Sequence, residues 1–311
     1  VTAPDELDGL LTSGEHATFH GRPAAAVGVL EQAVALAEAQ GLAVEMAAAG
    51  WLLGVALGAG GRYGGALTVL SPLIETGRAA DATPEQRLFA SLAAATVASV
   101  HRQLGRHAVA RASDLEALAL TDGQGEAAFD AQLGLASDAI GLDDPDEASV
   151  RLEHARALVP PRSEQWWRQR VRLGWTEAEA LLLDGRVEQA VVAAQEAVDR
   201  AEQAEAPRHV AKGLLILGIA QVSGDQAGEG EGAAAATLRQ AATLAESLGT
   251  LPLVWPARAL LGALVAEQDP DESASSLNAA RTAVLTLASD LPPGVRAEWL
   301  ARPDVAALLE G

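Results

Sequence analysis

Apolar residues in this chain return at the spacing of a helix. In "AVGVLEQAVALAEAQG" (26–41) and "EQAVVAAQEAVDRAEQA" (188–204) they fall at i, i+3, i+4 and i+7, which places them on one helical face. Each stretch follows a short polar turn, and ahead of the turn stands a second apolar helical segment, as in "WLLGVALGAGGR", "LLILGIAQVSGD" and "RALLGALVAEQD". The pattern therefore predicts helix, turn, helix, repeated along the chain.

The turns are related to one another. "HGRPAAA" (20–26), "GGRYGGA" (60–66), "LGRHAVA" (104–110), "LDDPDEA" (142–148), "DGRVEQA" (184–190) and "QDPDESA" (268–274) each reach a small residue five positions after the turn's Gly or Asp. Those residues are Ala26, Ala66, Ala110, Ala148, Ala190 and Ala274; a worn copy, "SGDQAGEG" (223–230), puts Gly230 in that place. The spacings are 40, 44, 38, 42, 40 and 44 residues. A large side chain where two helices converge would push them apart, so smallness there has a steric reason. Helix starts are marked as well: Asp144, Asp269 and Thr83 stand as N-caps, each followed by Pro at the first helical position and by Glu147, Glu272 or Gln86 two residues later.

A lone hairpin cannot bury its apolar face, and stacking on similar neighbours solves that problem. The expected architecture is all-α: a solenoid of about seven antiparallel helical hairpins in a right-handed superhelix with a short C-terminal cap. The hairpins are expected at 4–42, 43–80, 82–123, 126–159, 162–206, 208–249 and 251–290, with the cap, interrupted by Pro303, at 291–311, all in one domain. Leu53-Gly54 with Gly61 and Ala66, and Leu261-Gly262 with Asp269 and Ala274, resemble the tetratricopeptide repeat (TPR), whose first helix carries Leu-Gly and whose second has a small residue five after the turn. The period of roughly 41 residues departs from the family's 34, and Leu or Ala fills most of its aromatic positions, as at Leu57. The resemblance is nearest to the long-helix arrays of bacterial signalling proteins, including the large ATP-binding regulators of the LuxR family. It implies protein or peptide binding without catalysis.

Composition narrows the function further. Apolar residues make up 49% of the 311, mostly Ala, Leu and Val, while aromatics are only 3%. A formal charge of −20 argues against direct nucleic-acid binding, which needs concentrated positive charge, and against a cationic membrane-surface helix. The chain has no Cys, which removes disulfides and thiolate chemistry. The N-terminal stretch has no basic region followed by an apolar one, as a signal peptide would, and a cytoplasmic protein is expected. It opens with Val rather than Met, which fits excision from a longer protein. "MAAAGWLLGVALGAGG" (46–61) comes nearest to a membrane span but is short and rich in Gly and Ala.

Chemical motifs are sparse. "GAGGRYGG" (58–65) follows a helix and lacks a Lys-Ser/Thr pair, so it is a turn and not a phosphate loop. "GEGEG" (228–232) reads as an insertion. His16 and His20 have a metal-ligand spacing without a nearby third ligand, "DDPDE" fits helix capping better than calcium, and His101 and His107 lack a triad partner. No catalytic residue, metal or cofactor is expected.

Recognition remains. The first helices should line a concave groove, and the resemblance implies a groove-facing stripe counted back from each turn. From Gly185 the stripe holds Arg172, Trp175 and Glu179, with Arg168 one turn earlier; from Gly61 it reaches Trp51, and from Asp225 it reaches Lys212. Arg supplies a fork of donors and Trp a rigid apolar face, which suits a peptide or an acidic ligand. The same residues have a packing reading: Trp167, Val171, Gly174, Trp175 and Ala178 follow the core period, while Glu164 and Arg168 form an ordinary surface pair. Ser163 is the expected N-cap of this helix, and Trp166 has no evident core role. The leading expectation is a scaffold whose groove binds a protein segment or peptide, acidic in character. Alternatives are a sensor whose groove closes on an acidic or apolar small molecule and, last, an enzyme built on a helical array. Oligomeric state is left open.

The register has a direct test. Ala190→Trp should overfill the fifth hairpin and lower stability by roughly 1–3 kcal/mol or more in a urea titration. A neutral outcome would mean that the turns are misaligned.

Overall fold

A computed structural model describes residues 3–161, 163–224 and 231–310, and 85% of the chain is helical. The helices are α1 (Ala3–Phe19), α2 (Pro23–Gln40), α3 (Ala43–Gly60), α4 (Tyr63–Arg78), α5 (Pro84–Gln103), α6 (His107–Ala119), α7 (Gly125–Gly141) and α8 (Pro145–Leu158). They continue with α9 (Trp167–Leu183), α10 (Val187–Gln203), α11 (Pro207–Gly224), α12 (Glu231–Leu248), α13 (Leu251–Leu264), α14 (Pro270–Ser289), α15 (Pro293–Leu300) and α16 (Pro303–Glu310). Among the described residues there is no strand. The chain divides into two compact units, the first ending at Gln169 and the second beginning at Arg170, so α9 starts in one and continues in the other.

Within the first unit, successive helices pack as hairpins, and α1, α3, α5 and α7 also pack against one another. First helices thus form one layer and second helices the other. In the second unit α11 and α13 repeat that contact. The apolar helix α3 is long enough to cross a membrane, yet Leu52, Leu53, Ala56 and Leu57 are buried in this packing. It is a core helix by its contacts.

Hairpin closure rests on close approach. Ala26, Ala66, Ala110, Ala148 and Ala190 are fully buried four residues into their second helices. In the first, second, sixth and seventh hairpins a leucine one turn along the second helix is driven into the first helix where a glycine leaves room. A Cβ added at Gly54 would lie 2.4 Å from Leu70 Cδ2, and one at Gly14 would lie 2.4 Å from Leu30 Cδ2. Gly218 and Leu238 stand at 2.6 Å by the same measure, and Gly262 and Leu277 at 2.8 Å.

These pairs correct the alignment of the last two hairpins. The leucine register makes Ser273, not Ala274, the small residue of the seventh hairpin. Ser273 is buried and its hydroxyl donates to the Gly262 carbonyl at 2.7 Å, whereas Ala274 is exposed. The turn before α14 is one residue out of step because its N-cap is Asp269 itself. In the sixth hairpin the same register points to the fully buried Ala234; the expected Gly230 and the start of "GEGEG" lie outside the described residues.

The local signals perform as their chemistry dictates. Thr83 and Gln86 make a reciprocal capping box, and the carboxylates of Asp144 and Asp269 accept from the N–H groups of Glu147 and Glu272 at 3.1 and 2.9 Å. The turn at Gly61 has φ 88°, a left-handed conformation natural to glycine; at the equivalent turn Asp143 adopts φ 60°. Ser163 behaves otherwise. It precedes a single 3-10 turn, Glu164–Trp166, without capping it through its side chain, and α9 begins only at Trp167.

The third and fifth hairpins lack that leucine; the fully buried Ala194 takes its place in the fifth, and the third differs more. Its corresponding position is Asp114, fully buried, and Arg102 of α5 donates to it at 2.7 Å. The same guanidinium nitrogen reaches Asp138 of α7 at 2.8 Å and the Gly134 carbonyl at 3.1 Å. Gly134 and Gly141 make the space: a Cβ at the first would strike the Asp114 carboxylate, and one at the second the His107 ring, both at 2.2 Å. His107 Nδ1 lies 3.9 Å from Asp138. One arginine thus faces two buried carboxylates. Burial opposes the charge on Arg102, but Asp114 and Asp138 outweigh it and hold the guanidinium protonated. Burial pushes the Asp114 carboxyl well above its ordinary 3.8, against the downward pull of Arg102 and with the help of Asp138.

A carboxyl whose pKa is raised by folding stabilises the fold while protonated. Below 3.8 both states carry the proton; above it the unfolded chain releases the proton first, and stability falls until the raised folded value is passed. Asp114→Asn should therefore flatten the decline in stability above that pH and be near neutral or stabilising at pH 7. Arg102→Met should cost about 3–5 kcal/mol by leaving buried carboxylates uncompensated. Urea midpoints from pH 3 to 8 read both effects; a steeper decline in the Asn variant would refute the assignment.

Candidate functional site

The stretch from Ser163 to Trp175 divides its residues between two neighbourhoods. In the first unit, Trp166 meets Phe129 of α7 edge-on, with ring centroids 6.0 Å apart. Trp166 therefore has a packing partner that its sequence context did not suggest. Trp167 approaches His20, just beyond α1, at 5.0 Å, and His20 stacks on His16 at 5.3 Å. Among the described residues, no three His, Asp or Glu side chains gather as a metal site.

Arg168 is held in place by its surroundings. Its guanidinium lies 4.9 Å from the centre of the Phe19 ring, 3.5 Å from Asp130 Oδ2 and 4.0 Å from Glu126 Oε2. Its side chain is 13% exposed and that of Asp130 is 8% exposed. Burial raises the Glu126 carboxyl, partly offset by Arg168. Two carboxylates already face this arginine, so a ligand carboxylate would have to compete with them.

Trp51 on α3 is half-buried. Its indole N–H donates to Thr96 of α5 at 3.2 Å, and its ring meets Phe89 of α5 at 6.5 Å and 45°. These contacts join two neighbouring first helices and leave part of the ring accessible.

In the second unit, Trp175 is 6% exposed and stacks on the buried His209 of α11 at 5.4 Å and 21°. Gly213 makes room for it: a Cβ there would come 3.4 Å from the indole nitrogen. Trp175 thus belongs to the packing of α9 on α11, in line with its place in the core period beside the fully buried Val171 and Ala178. Lys212, the only lysine, extends its ammonium to 5.2 Å from the Trp175 ring centre and stays half-exposed. Arg172 and Glu179 are half-exposed on α9. Of the six residues expected in a groove, the structure joins Trp175 and Lys212 directly, Arg172 and Glu179 share their helix, and Trp51 and Arg168 belong to the other unit.

Asp130 and Glu126 went unnoticed as partners of Arg168, although Asp130 stands as far before its turn residue, Asp143, as Arg172 does before Gly185. The same count that singled out Arg172 would have found it. Phe19 carried no such signal. A shallow depression at the start of α10, lined by Gly185, Arg186, Glu188 and Ser223, coincides with none of the expected residues.

The fold has solved counterparts. A Rap protein, crystallised in complex with competence and sporulation factor, superimposes with a TM-score of 0.62 at 14% sequence identity, over 98% of this chain and 80% of that one. The apo form of RapI aligns over 99% of this chain and 84% of its own with a TM-score of 0.48 and 11% identity. No known family matches the sequence, and no curated protein does. The likeness to the first structure establishes the all-α helical-repeat fold that the TPR resemblance implied.

Proposed function

We propose that this chain is a non-catalytic scaffold that binds a peptide or a segment of another protein along the layer of first helices, as the sensor or interaction part of a bacterial signalling or transcriptional regulator of the LuxR type. The observation that carries the reading is that first helices pack on first helices, so a line of half-exposed side chains follows from their common register. A structure of the same fold carries competence and sporulation factor, which supports an occupied groove here. A cytoplasmic setting fits this role.

Two basic members of the stripe in the second unit define a pattern. Arg172 and Lys212 share one register position on neighbouring first helices, α9 and α11. Packed helices are about 10 Å apart and an extended chain advances about 3.3 Å per residue. A ligand with acidic side chains about three residues apart would meet both cations. The small-molecule alternative needs Trp175 as an open apolar wall, and Trp175 is instead covered by His209 and Lys212.

A peptide-display selection against the whole chain should enrich acidic residues about three positions apart. Arg172→Glu combined with Lys212→Glu should then weaken the selected peptides by about 10- to 100-fold, with little change in melting temperature. Val192→Glu, at a position 58% exposed on the second helix α10, should leave binding unchanged. Equal affinity for the doubly reversed variant would remove the inner face as the binding surface.

A further inference from the structure

In an array of stacked hairpins each repeat touches its sequence neighbours and no others. The first unit departs from that rule. Phe19 and His20, at the end of the first hairpin's inner helix, meet Arg168 and Trp167, which open the inner helix of the fifth. Three whole hairpins lie between them in sequence. Asp130 and Glu126 of α7 complete the contact from the fourth hairpin.

We propose that Arg168 is a clasp that closes the first unit on itself, joining the first hairpin to the fourth and fifth and so restricting sideways entry to the face lined by α1, α3, α5 and α7. Its guanidinium has the geometry for the task. One guanidinium lies over the Phe19 ring while its N–H groups reach towards carboxylates on α7, which the compact ammonium of a lysine cannot do in the same way. The clasp is also composed for reversible opening. The His20–Trp167 and Arg168–Phe19 contacts are ring contacts across which no hydrogen-bonded backbone runs, and Glu126 is 47% exposed, where solvent weakens its hold. Arg168 was expected to offer its charge to a ligand. Its surroundings spend that charge within the protein, so its action on a ligand is through access.

Closure does not depend on the groove-binding reading, whereas its use in admitting a ligand does, and the two can be tested separately on the whole chain without any ligand. Because the chain has no Cys, introduced thiols are labelled uniquely. Nitroxides on Ser13→Cys and Gln165→Cys, both exposed positions flanking the clasp, should give one narrow distance distribution by pulsed EPR. Arg168→Ala should broaden and lengthen it, and Arg168→Lys should give an intermediate distribution. Phe19→Leu, which keeps an apolar side chain and removes the ring face, should act in the same direction and decides the matter if Arg168→Ala lowers helicity. A distribution unchanged by both Arg168→Ala and Phe19→Leu would overturn the clasp. For entry, Ser99→Cys lies at the register position of Glu179 on the inner helix α5. A bulky maleimide should modify it about tenfold faster once Arg168 is Ala, since modification tracks the open population. A broadened and lengthened EPR distribution with no change at Ser99→Cys would overturn the role in access and leave closure standing. Failure of peptide selection would bear on the proposed function alone.

Discussion

Everything in this molecule depends on how closely two helices can approach within a hairpin. The small residue at the vertex sets that distance, together with a leucine one turn beyond it that sits over a glycine of the facing helix in the first, second, sixth and seventh hairpins. Ala and Gly at these contacts allow dense packing from a chain with few aromatics, since interior stability comes from many close contacts and not from a few large side chains. Once each hairpin has that shape, its remaining apolar face has no outlet except the next hairpin, and the layering of first on first helices follows.

Polar residues occur where this geometry leaves an opening. Asp114 takes the register position that Leu30 and Leu70 hold in the first two hairpins, and Arg102 and Gly134 of α7 are arranged around it. An ion pair in a core slot is no gain in stability over leucine, because desolvation offsets the attraction. It does bind three helices, α5, α6 and α7, through a single guanidinium whose hydrogen bonds work in one arrangement only. Leucines tolerate sliding; this cluster does not. Arg168 plays a comparable part at longer range, since it too draws carboxylates and a ring from separate hairpins onto one planar cation.

What the sequence disclosed and what it withheld divide along the same line. Caps at Thr83, Asp144 and Asp269 were legible because a cap is a bond between residues three apart. The vertex alanines of the first five hairpins were legible because their turns keep one length. The sixth and seventh shifted, to Ala234 and Ser273, because the small residue is counted from the helix start, α12 at Glu231 and α14 at Pro270, and not from the turn residue. Among the candidate site residues, the burial of Trp175 followed from its period with Val171 and Ala178, but its stack on His209 did not. The partners of Arg168 were hidden for a stronger reason. Helical periodicity describes how one element faces its neighbour, and it has no term for the first hairpin meeting the fifth.

Charge distinguishes the surroundings of Arg168 from those of Arg172, two of the three arginines of α9. The protein carries −20 overall, so an acidic partner is repelled at a distance and attracted only within reach of specific cations. At physiological salt that reach is about 8 Å. Arg168, with Asp130 and Glu126 beside it, presents no net positive charge at this range. Arg172 and Lys212 stand on the first helices α9 and α11, half-exposed, with Lys212 beside the ring of Trp175. A broad acidic surface would meet the negative charge of the rest of the molecule before it met these two groups. On the proposed peptide-binding reading, a short extended segment would place its carboxylates against them and leave most of its length outside that field.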